Sequence, residues 1–243
     1  MIFEWTEEIA EFIGILLGDG SLGKYKCHSE KGIKTQYRVK ITCDSDEDLP
    51  YIMNFVSPLM ERVFKKEPLL RFKTTERVVE LLLFGREYYY SLISLGLKPA
   101  PKRDNASIPE FITTENLERD FMRGLFDTDG CLVFDKQHTD RHYYPRLEIK
   151  MLPSPMRNQF INMLVQSGFD IMLAPRIYSD KVVRIQINGK EQLEEWASMI
   201  GFNNPKHKTK YLLWKRLGYC PKRMSLRERV DMLSKLEIRN SGG

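Results

Sequence analysis

The chain has 243 residues, of which 42% are hydrophobic and 29% charged. This length suits one large domain or two small ones of roughly 100–150 residues each. No apolar run approaches the ~20 residues that a membrane-spanning helix needs, and acidic residues occupy the N-terminal segment where a secretory signal would be basic. We therefore expect an intracellular protein, cytoplasmic in a prokaryote or organellar, that does not contact membranes.

Charge and cysteine content narrow the class further. The formal net charge of +5 is modest, so the positions of the basic residues carry more information than their number. The four cysteines lack the close spacing of a zinc site and the pattern of a disulfide framework. They are interpreted as free thiols in a reducing compartment.

The first half of the chain predicts alternating helices and strands. A helix is expected from Thr6 to about Gly18, with Thr6 as N-cap and two glutamates in its first turn. A strand follows at 36–42, where apolar and polar residues alternate. Then come a helix at about 48–64 interrupted near Ser57-Pro58, strands at about 69–74 and 77–84, and a helix at about 86–95.

The second half repeats this order after a segment with three prolines (98–109) that is typical of a linker. The predicted elements are a helix at 115–128, strands near 131–136 and 143–151, a helix at 155–167, strands at 172–178 and 181–188, and a helix at 190–200. An amphipathic stretch at 225–236 predicts an additional C-terminal helix.

The two halves also match in sequence, which indicates a tandem duplication. "FIGILLGDG" (12–20) and "MRGLFDTDG" (122–130) stand 110 positions apart, and "RVVELLLFGRE" (77–87) parallels "KVVRIQINGKE" (181–191). We divide the chain into a first repeat at 1–98, a linker at 99–110, a second repeat at 111–220, and a C-terminal helix and tail at 221–243.

Small residues recur along one face of each motif helix. Gly14 and Gly18 are four positions apart, as are Gly124 and Thr128. A glycine within a helix costs about 0.5–1 kcal/mol relative to alanine, so this pattern indicates a close contact. We expect the two motif helices to pack against each other through these four residues, about a pseudo-twofold axis.

That packing would place Asp19 and Asp129 together near the axis, each at the negative end of a helix dipole. Two carboxylates so placed repel each other unless cations are present. Mg²⁺ binds carboxylate and carbonyl oxygens, so the site is predicted to hold a divalent metal through both aspartates and the carbonyls of Gly18 and Thr128. One Asp-Gly could be turn chemistry alone, but two at a constant offset favour a site. Asp127 is expected on a helix face or in solvent, outside the chemistry.

These motifs resemble those of the LAGLIDADG homing endonucleases, and the duplicated chain is similar to the monomeric, two-motif, intron-encoded members of archaea and organelles. The resemblance implies an α+β fold, a tandem pseudo-twofold repeat of αββαββα units whose two four-stranded antiparallel sheets form a DNA-binding saddle around the two packed motif helices. It also implies a staggered double-strand break in a long asymmetric DNA site, with one strand cut at each of Asp19 and Asp129. The cofactor would be Mg²⁺, for which Mn²⁺ can substitute.

The polar faces of the predicted strands carry side chains that can read bases in the major groove. Glu80 and Glu148 on the same faces are compatible with this role, because a carboxylate can accept a hydrogen bond from cytosine. The residues expected to bind DNA are Gln36, Arg38, Lys40, Arg71, Lys73, Tyr144, Arg146, Lys150, Arg176, Tyr178, Arg184, Gln186 and Asn188.

Basic segments after the last helix of each repeat supply candidate catalytic lysines by the same resemblance. Lys102 is the candidate in the first repeat, and Lys206 or Lys208 in the second. Cys43 and Met151 depart from the family's pattern, in which a glutamine often stands near the scissile phosphate.

Two other functions remain open: an RNA maturase that assists intron splicing, towards which these departures point, and a non-cleaving DNA-binding protein. An intein-embedded enzyme is a further variant, but we see no splicing nucleophile at the start of the chain and no His-Asn pair at its end. A freestanding enzyme is therefore preferred.

Overall fold

The chain was analysed as a computed structural model that describes residues 3–29, 32–73, 75–102, 105–176 and 179–241. In the first half, Thr6 caps the first helix as expected, since its hydroxyl accepts a hydrogen bond of 3.4 Å from the Ile9 amide. The elements are α1 (Glu7–Gly18), β1 (Gly20–Ser29), β2 (Gly32–Asp44), α2 (Leu49–Tyr51), a π-helical segment (Ile52–Val56), α3 (Ser57–Phe64), β3 (Leu69–Lys73), β4 (Val78–Phe84) and α4 (Arg86–Ser94).

The second half has the same order of long helices and strands. Its elements are α5 (Phe111–Thr114), α6 (Glu118–Asp129), β5 (Gly130–Asp135), β6 (Tyr144–Met151), α7 (Pro155–Gln166), β7 (Ile171–Arg176), β8 (Ser179–Asn188) and α8 (Lys190–Met199). Two further helices follow, α9 (Pro205–Leu217) and α10 (Leu226–Ser241).

Each half forms one four-stranded antiparallel sheet, and the strand orders β1-β2-β4-β3 and β5-β6-β8-β7 are equivalent. Along β2, Val39 and Ile41 are fully buried, while Arg38 and Lys40, which alternate with them, are partly exposed. One face of each sheet therefore packs on the helices and the other carries polar side chains. The predicted α+β fold of two antiparallel sheets is confirmed.

The structure differs from the predicted elements at several places. Strand β1 (Gly20–Ser29) was not predicted, and β2 begins at Gly32, earlier than expected. The helix expected at 115–128 begins only at Glu118, and an additional short helix, α5 (Phe111–Thr114), precedes it. The interruption near Ser57-Pro58 is a π-helical segment just before it, which fits a proline that has no amide hydrogen to donate to the preceding turn.

Helix α9 was not predicted. Asn204 caps it by accepting a hydrogen bond of 2.9 Å from the Lys206 amide, and Pro205 follows at the first position. This Asn-Pro pair is a helix-start signal, and it lies in the segment for which the sequence predicts only candidate catalytic lysines.

Within the described residues, no helix combines the length and apolarity needed to cross a membrane.

Candidate metal site and nucleic-acid interface

Helices α1 and α6 meet where their glycines stand. A Cβ atom on Gly14 would overlap the Phe121 carbonyl oxygen and lie 2.7 Å from the Leu125 amide nitrogen, and a Cβ on Gly124 would overlap the Glu11 carbonyl oxygen. The two backbones thus approach more closely than any larger residue allows. This contact fixes how the C-terminal ends of the two helices lie relative to each other.

The same face continues to the ends of the helices. A Cβ on Gly18 would lie 2.9 Å from the Thr128 Cβ and 3.5 Å from the Asp129 carboxyl carbon. Asp19 is the C-cap of α1, where its amide donates to the Ile15 carbonyl over 3.1 Å. Asp129 is the last residue of α6. The helix contact therefore brings the two carboxylates into one region between the sheets.

The protonation of Asp19 reflects this crowding. Burial, followed by repulsion from Asp129 and from Asp48, raises the pKa of Asp19 to about 6, although Lys206 opposes the shift. The Cys43 thiol donates a hydrogen bond of 3.7 Å to the Asp19 carboxylate. Burial and the neighbouring aspartates raise the pKa of this thiol, so it remains protonated at neutral pH.

Asp129 lies in a comparable environment. The residue is exposed to solvent on one side. Neighbouring protein atoms nevertheless displace enough water from its carboxylate to raise its pKa, against the opposing charges of Lys102 and Lys206. Both carboxylates are therefore held where negative charge is costly, and a cation would stabilise them.

Lys102 lies at the end of α1. Its ammonium donates to the last-turn carbonyls of Leu16, Leu17 and Gly18 over 2.8, 2.7 and 3.1 Å. A cation at this position satisfies helix-end carbonyls and complements the dipole. Burial lowers the pKa of Lys102 to about 8, although the two aspartates favour its charged form.

Lys206 enters the site from the first turn of α9. Its ammonium is 2.8 Å from a carboxylate oxygen of Asp48, which also accepts 2.9 Å from the Asn204 side chain. Burial disfavours the charge, but Asp48 and Asp19 outweigh burial and raise the pKa of Lys206. Lys208, the other candidate, has an exposed side chain.

Two acidic residues near the site have roles that sequence reasoning missed. Asp48 is buried and binds Lys206 across the two halves, and the local sequence holds no signal for this pairing. Asp127 is not in solvent: it is buried and accepts hydrogen bonds of 2.7 and 2.9 Å from the Asn203 and Asn204 amides. Asp127 thus anchors the loop that leads into α9.

The donor atoms suit a hard divalent cation, but they form an incomplete set. Among the described residues, no three His, Cys, Asp or Glu side chains are grouped to hold a metal ion. Asp19 and Asp129 therefore need further oxygen ligands, which the Gly18 and Thr128 carbonyls, water or a phosphate group could provide. The Gly18 carbonyl is already a hydrogen-bond acceptor for Lys102. Such a site fits a metal that binds together with a nucleic-acid phosphate.

The predicted base-reading side chains lie on the polar faces of the sheets. In the first sheet, Arg38 and Lys40 of β2 share a face with Arg71 and Lys73 of β3, because Lys40 pairs with Leu82 and Arg71 with Glu80 across β4. Gln36 continues this face and opposes Tyr25. Arg38 is held against the Tyr25 ring, 4.6 Å from its centroid.

The second sheet presents an equivalent face. Its register places six of the predicted residues there: Tyr144, Arg146, Lys150, Arg184, Gln186 and Asn188. The Arg176 side chain and Tyr178 lie outside the described residues. The strand ends at Cys43 and Met151 point to the helix side, where both are buried.

No model of a known protein family matches the chain. Over 213 residues it is 24% identical to the replication factor C small subunit of Methanocaldococcus jannaschii, a match that covers 86% of this chain and 10% of that protein. The chain thus spans about a tenth of the length of the curated relative it matches.

Solved structures match it over most of its length. They include I-DmoI in complex with DNA and Mn (18% identity, TM-score 0.56, 82% of this chain and 98% of that chain). The LAGLIDADG homing endonuclease I-GzeII in complex with its DNA target matches at 10% identity and a TM-score of 0.60, over 86% and 89%. The LAGLIDADG homing endonuclease I-LtrWI bound to target DNA matches at 11% and 0.56, over 98% of both chains. The chain therefore has the fold of these enzymes.

Proposed function

We propose that the chain is a site-specific, metal-dependent DNA endonuclease of the LAGLIDADG homing type, which makes a staggered double-strand break in a long asymmetric site. One chain carries both motif helices and both sheets, so we propose that it acts as a monomer. We propose Mg²⁺ as its cofactor, with Mn²⁺ able to substitute; solved structures of the homing endonuclease I-DmoI were obtained with DNA and Mn or Mg.

One observation carries this proposal. Helices α1 and α6 touch through their backbones, and each ends in an aspartate at the same place. Asp19 and Asp129 stand between two sheets whose outer faces are lined by arginine, lysine, glutamine and asparagine. Burial is the main cause of the raised pKa of both aspartates, so their negative charge is costly here and a bound cation would stabilise it. Double-stranded DNA lying across both sheets would bring its phosphates to the same place.

Each part of the chain then has a role in the reaction. The sheet faces bind base edges in the major groove and fix the register of the DNA. Asp19 and Asp129, with the Gly18 and Thr128 carbonyls, would hold the metal, and Lys102 and Lys206 would stabilise negative charge on the phosphates being cut. When bound, the divalent metal supplies an activated water and stabilises the departing oxygen. Lys208 lies at the solvent side of α9 and is proposed to contact the DNA backbone at most.

The test uses a supercoiled plasmid that carries the proposed target. This target is the junction of the two exon sequences that flank the intron in which the reading frame would lie. We expect the wild-type chain with Mg²⁺ to convert this plasmid to the linear form. Asp19→Asn and Asp129→Asn should each abolish the linear product, because each aspartate is proposed to serve one strand. A matched control is Asp231→Asn, which removes the same charge from the exposed surface of α10.

The outcomes separate the roles. Full linearisation by either Asp19→Asn or Asp129→Asn would overturn the catalytic assignment of that residue. Linearisation by the wild type but nicked circles from one variant would support the division of one strand per aspartate. Loss of cleavage by the Asp231→Asn control would mean that surface charge, and not the site, governs the reaction.

An RNA maturase is the second candidate, and one contact favours it. The Cys43 thiol hydrogen-bonds to Asp19, and Met151 is buried at the equivalent strand end, so neither position orders water beside a phosphate. If the wild type leaves the junction plasmid intact but shortens the splicing time of an intron transcript that carries this reading frame, the maturase is the better assignment. Binding of the plasmid without either reaction would indicate a non-cleaving DNA-binding protein.

A further inference from the structure

The polar face of each sheet has a glutamate at its centre, surrounded by the basic side chains proposed to read DNA. Glu80 lies on β4 with a side chain that is 1% exposed, and Glu148 lies on β6 with a side chain that is 11% exposed. A carboxylate on a surface that binds a polyanion opposes binding, so both need a physical reason.

In the first sheet, Glu80 binds two cations on neighbouring strands. Lys40 on β2 approaches one carboxylate oxygen to 3.3 Å, and Arg71 on β3 donates to the other from Nε over 2.8 Å and from a terminal nitrogen as well. Burial disfavours the charged carboxylate, but the hydrogen bonds from Arg71 and Lys40 outweigh it and lower the pKa of Glu80. Both cations are thus held on the sheet surface.

In the second sheet, Glu148 has the same relation to its neighbours. Arg146 on the same strand donates to it over 3.2 Å, and Gln186 on β8 over 3.5 Å. Arg184 on β8 stands 3.7 Å away as an ion pair without a hydrogen bond at its Nε. Asp135 at the end of β5 holds the other side of the Arg146 guanidinium at 2.6 Å.

The two arrangements use opposite strands of equivalent sheets. "YRVKIT" (37–42) also matches "PRLEIK" (145–150) at an offset of 108 residues, which aligns Lys40 with Glu148. The match of "RVVELLLFGRE" (77–87) with "KVVRIQINGKE" (181–191), at an offset of 104 residues, aligns Glu80 with Arg184. Each repeat therefore retains an acid–base pair across its central strands, with the charges exchanged. The acid–base pair thus occurs on the polar face of both sheets, although the acid and the base lie on exchanged strands.

We propose that Glu80 and Glu148 determine specificity, each by restraining two basic side chains of its sheet from binding the phosphates of unmatched DNA. This inference rests on the proposed function, because it assigns the sheet faces to DNA. An arginine or lysine hydrogen-bonded to a buried carboxylate must exchange that partner for a DNA group. A matched base edge offers directed acceptors in return, and the freed carboxylate can accept from cytosine. A phosphate of unmatched DNA offers only its charge.

The test measures binding of the whole chain to a random-sequence 40-bp duplex without metal, as a function of salt. Replacing Glu80 by Gln keeps the size of the side chain and removes the charge that holds Lys40 and Arg71. Each cation released onto a phosphate should steepen the plot of log affinity against log salt by about 0.9. Two released cations give about 1.8, so the excess affinity of Glu80→Gln should fall roughly tenfold between 50 and 200 mM salt. Glu148→Gln should add about half of this slope, because it frees Arg184 while Asp135 still holds Arg146.

Two further variants make the result specific. Glu61→Gln removes the same charge from an exposed position of α3, on the helix side of the sheet, and should leave the slope unchanged. The double variant Glu80→Gln with Arg71→Gln should show only about half of the added slope, because only Lys40 is then released. Selection of bound duplexes from a random library should enrich fewer defined positions with Glu80→Gln than with the wild type.

The two ideas fail in different ways. If the wild type does not bind the 40-bp duplex at any salt concentration, the proposed function is wrong. If it binds, but Glu80→Gln and Glu148→Gln change the slope no more than Glu61→Gln does, then DNA binding stands and the two glutamates only lower the net charge. If the selected sequences of the variants are as defined as those of the wild type, the specificity role is overturned.

Discussion

Replacement of Gly14 by alanine tests the contact on which the whole site depends. The added methyl group would overlap the Phe121 carbonyl oxygen and lie 2.7 Å from the Leu125 amide nitrogen. Both obstacles are backbone atoms of α6, so no side-chain rotation can relieve the overlap. The two helices must move apart, and because Asp19 and Asp129 follow directly, their spacing must change as well.

The size of the effect follows from two opposing contributions. Overpacking a filled interior costs about 1–3 kcal/mol, and an obstacle made of backbone places Gly14→Ala near the upper end. Alanine favours a helix over glycine by about 0.5–1 kcal/mol, which offsets part of that cost. We expect a net loss of about 2 kcal/mol in the free energy of unfolding, or a fall of roughly 4–8 °C in Tm for a chain of this length.

Urea unfolding and thermal melting followed by circular dichroism measure the loss. Gly124→Ala should behave alike, since its methyl group would overlap the Glu11 carbonyl oxygen. Ser234→Ala on the exposed surface of α10 is the control and should stay within about 0.5 kcal/mol of the wild type. If Gly14→Ala is as stable as the wild type or more so, the helices do not approach through their backbones and the reasoning fails.

Three further outcomes follow from buried charges and rings. Arg123→Met should cost about 3–5 kcal/mol in urea unfolding, because Arg123 lies 2.6 Å from Glu11 and 2.5 Å from Asp120 and its loss removes the buried cation that the two carboxylates share; a cost under 1 kcal/mol would contradict this. Lys102→Met should lower the free energy of unfolding by about 1–3 kcal/mol through the loss of its bonds to the last-turn carbonyls of α1, whereas an unchanged Tm would show that water replaces the ammonium. His207 is fully buried, and burial holds its pKa far below the usual value. The unfolded chain therefore binds a proton there that the folded chain does not. The free energy of unfolding should fall as the pH drops below about 6.5, by at most ~1.4 kcal/mol per pH unit. His207→Leu should remove this component from urea unfolding measured between pH 5.5 and 7.5, and an identical pH profile in the variant would refute it.

The sequence alone determined the periodic part of this protein. The alternation along β2 and the apolar positions of the helices predicted the elements, because a half-buried strand and a packed helix need those spacings. The duplication also predicted a site, because the Asp-Gly at 19–20 and the Asp-Gly at 129–130 occupy equivalent positions in the two repeats. Four small residues at helical spacing were enough to expect close helices, whereas the expectation of two four-stranded sheets came from the family resemblance.

Only the tertiary structure decided which residues accompany the two aspartates. Asp48 and Lys206 are 158 positions apart in the chain, and nothing local in the sequence links them, yet they meet at 2.8 Å. The same is true of Lys102, whose three acceptors lie in a helix more than 80 positions earlier. Helix α9 carries Lys206 into the site, and its start at Asn204-Pro205 was hidden within a basic stretch.

The charges on the sheet faces show the same division. Sequence periodicity placed Lys40, Arg71 and Glu80 on one face, because alternate residues of a strand share a side. It did not show that Glu80 binds both cations, since that depends on the order β2-β4-β3, which places the glutamate between them. Helices and strands can be predicted from the sequence because their backbone geometry is periodic. Side chains that meet across strands and repeats cannot, because their contacts depend on how the whole chain packs.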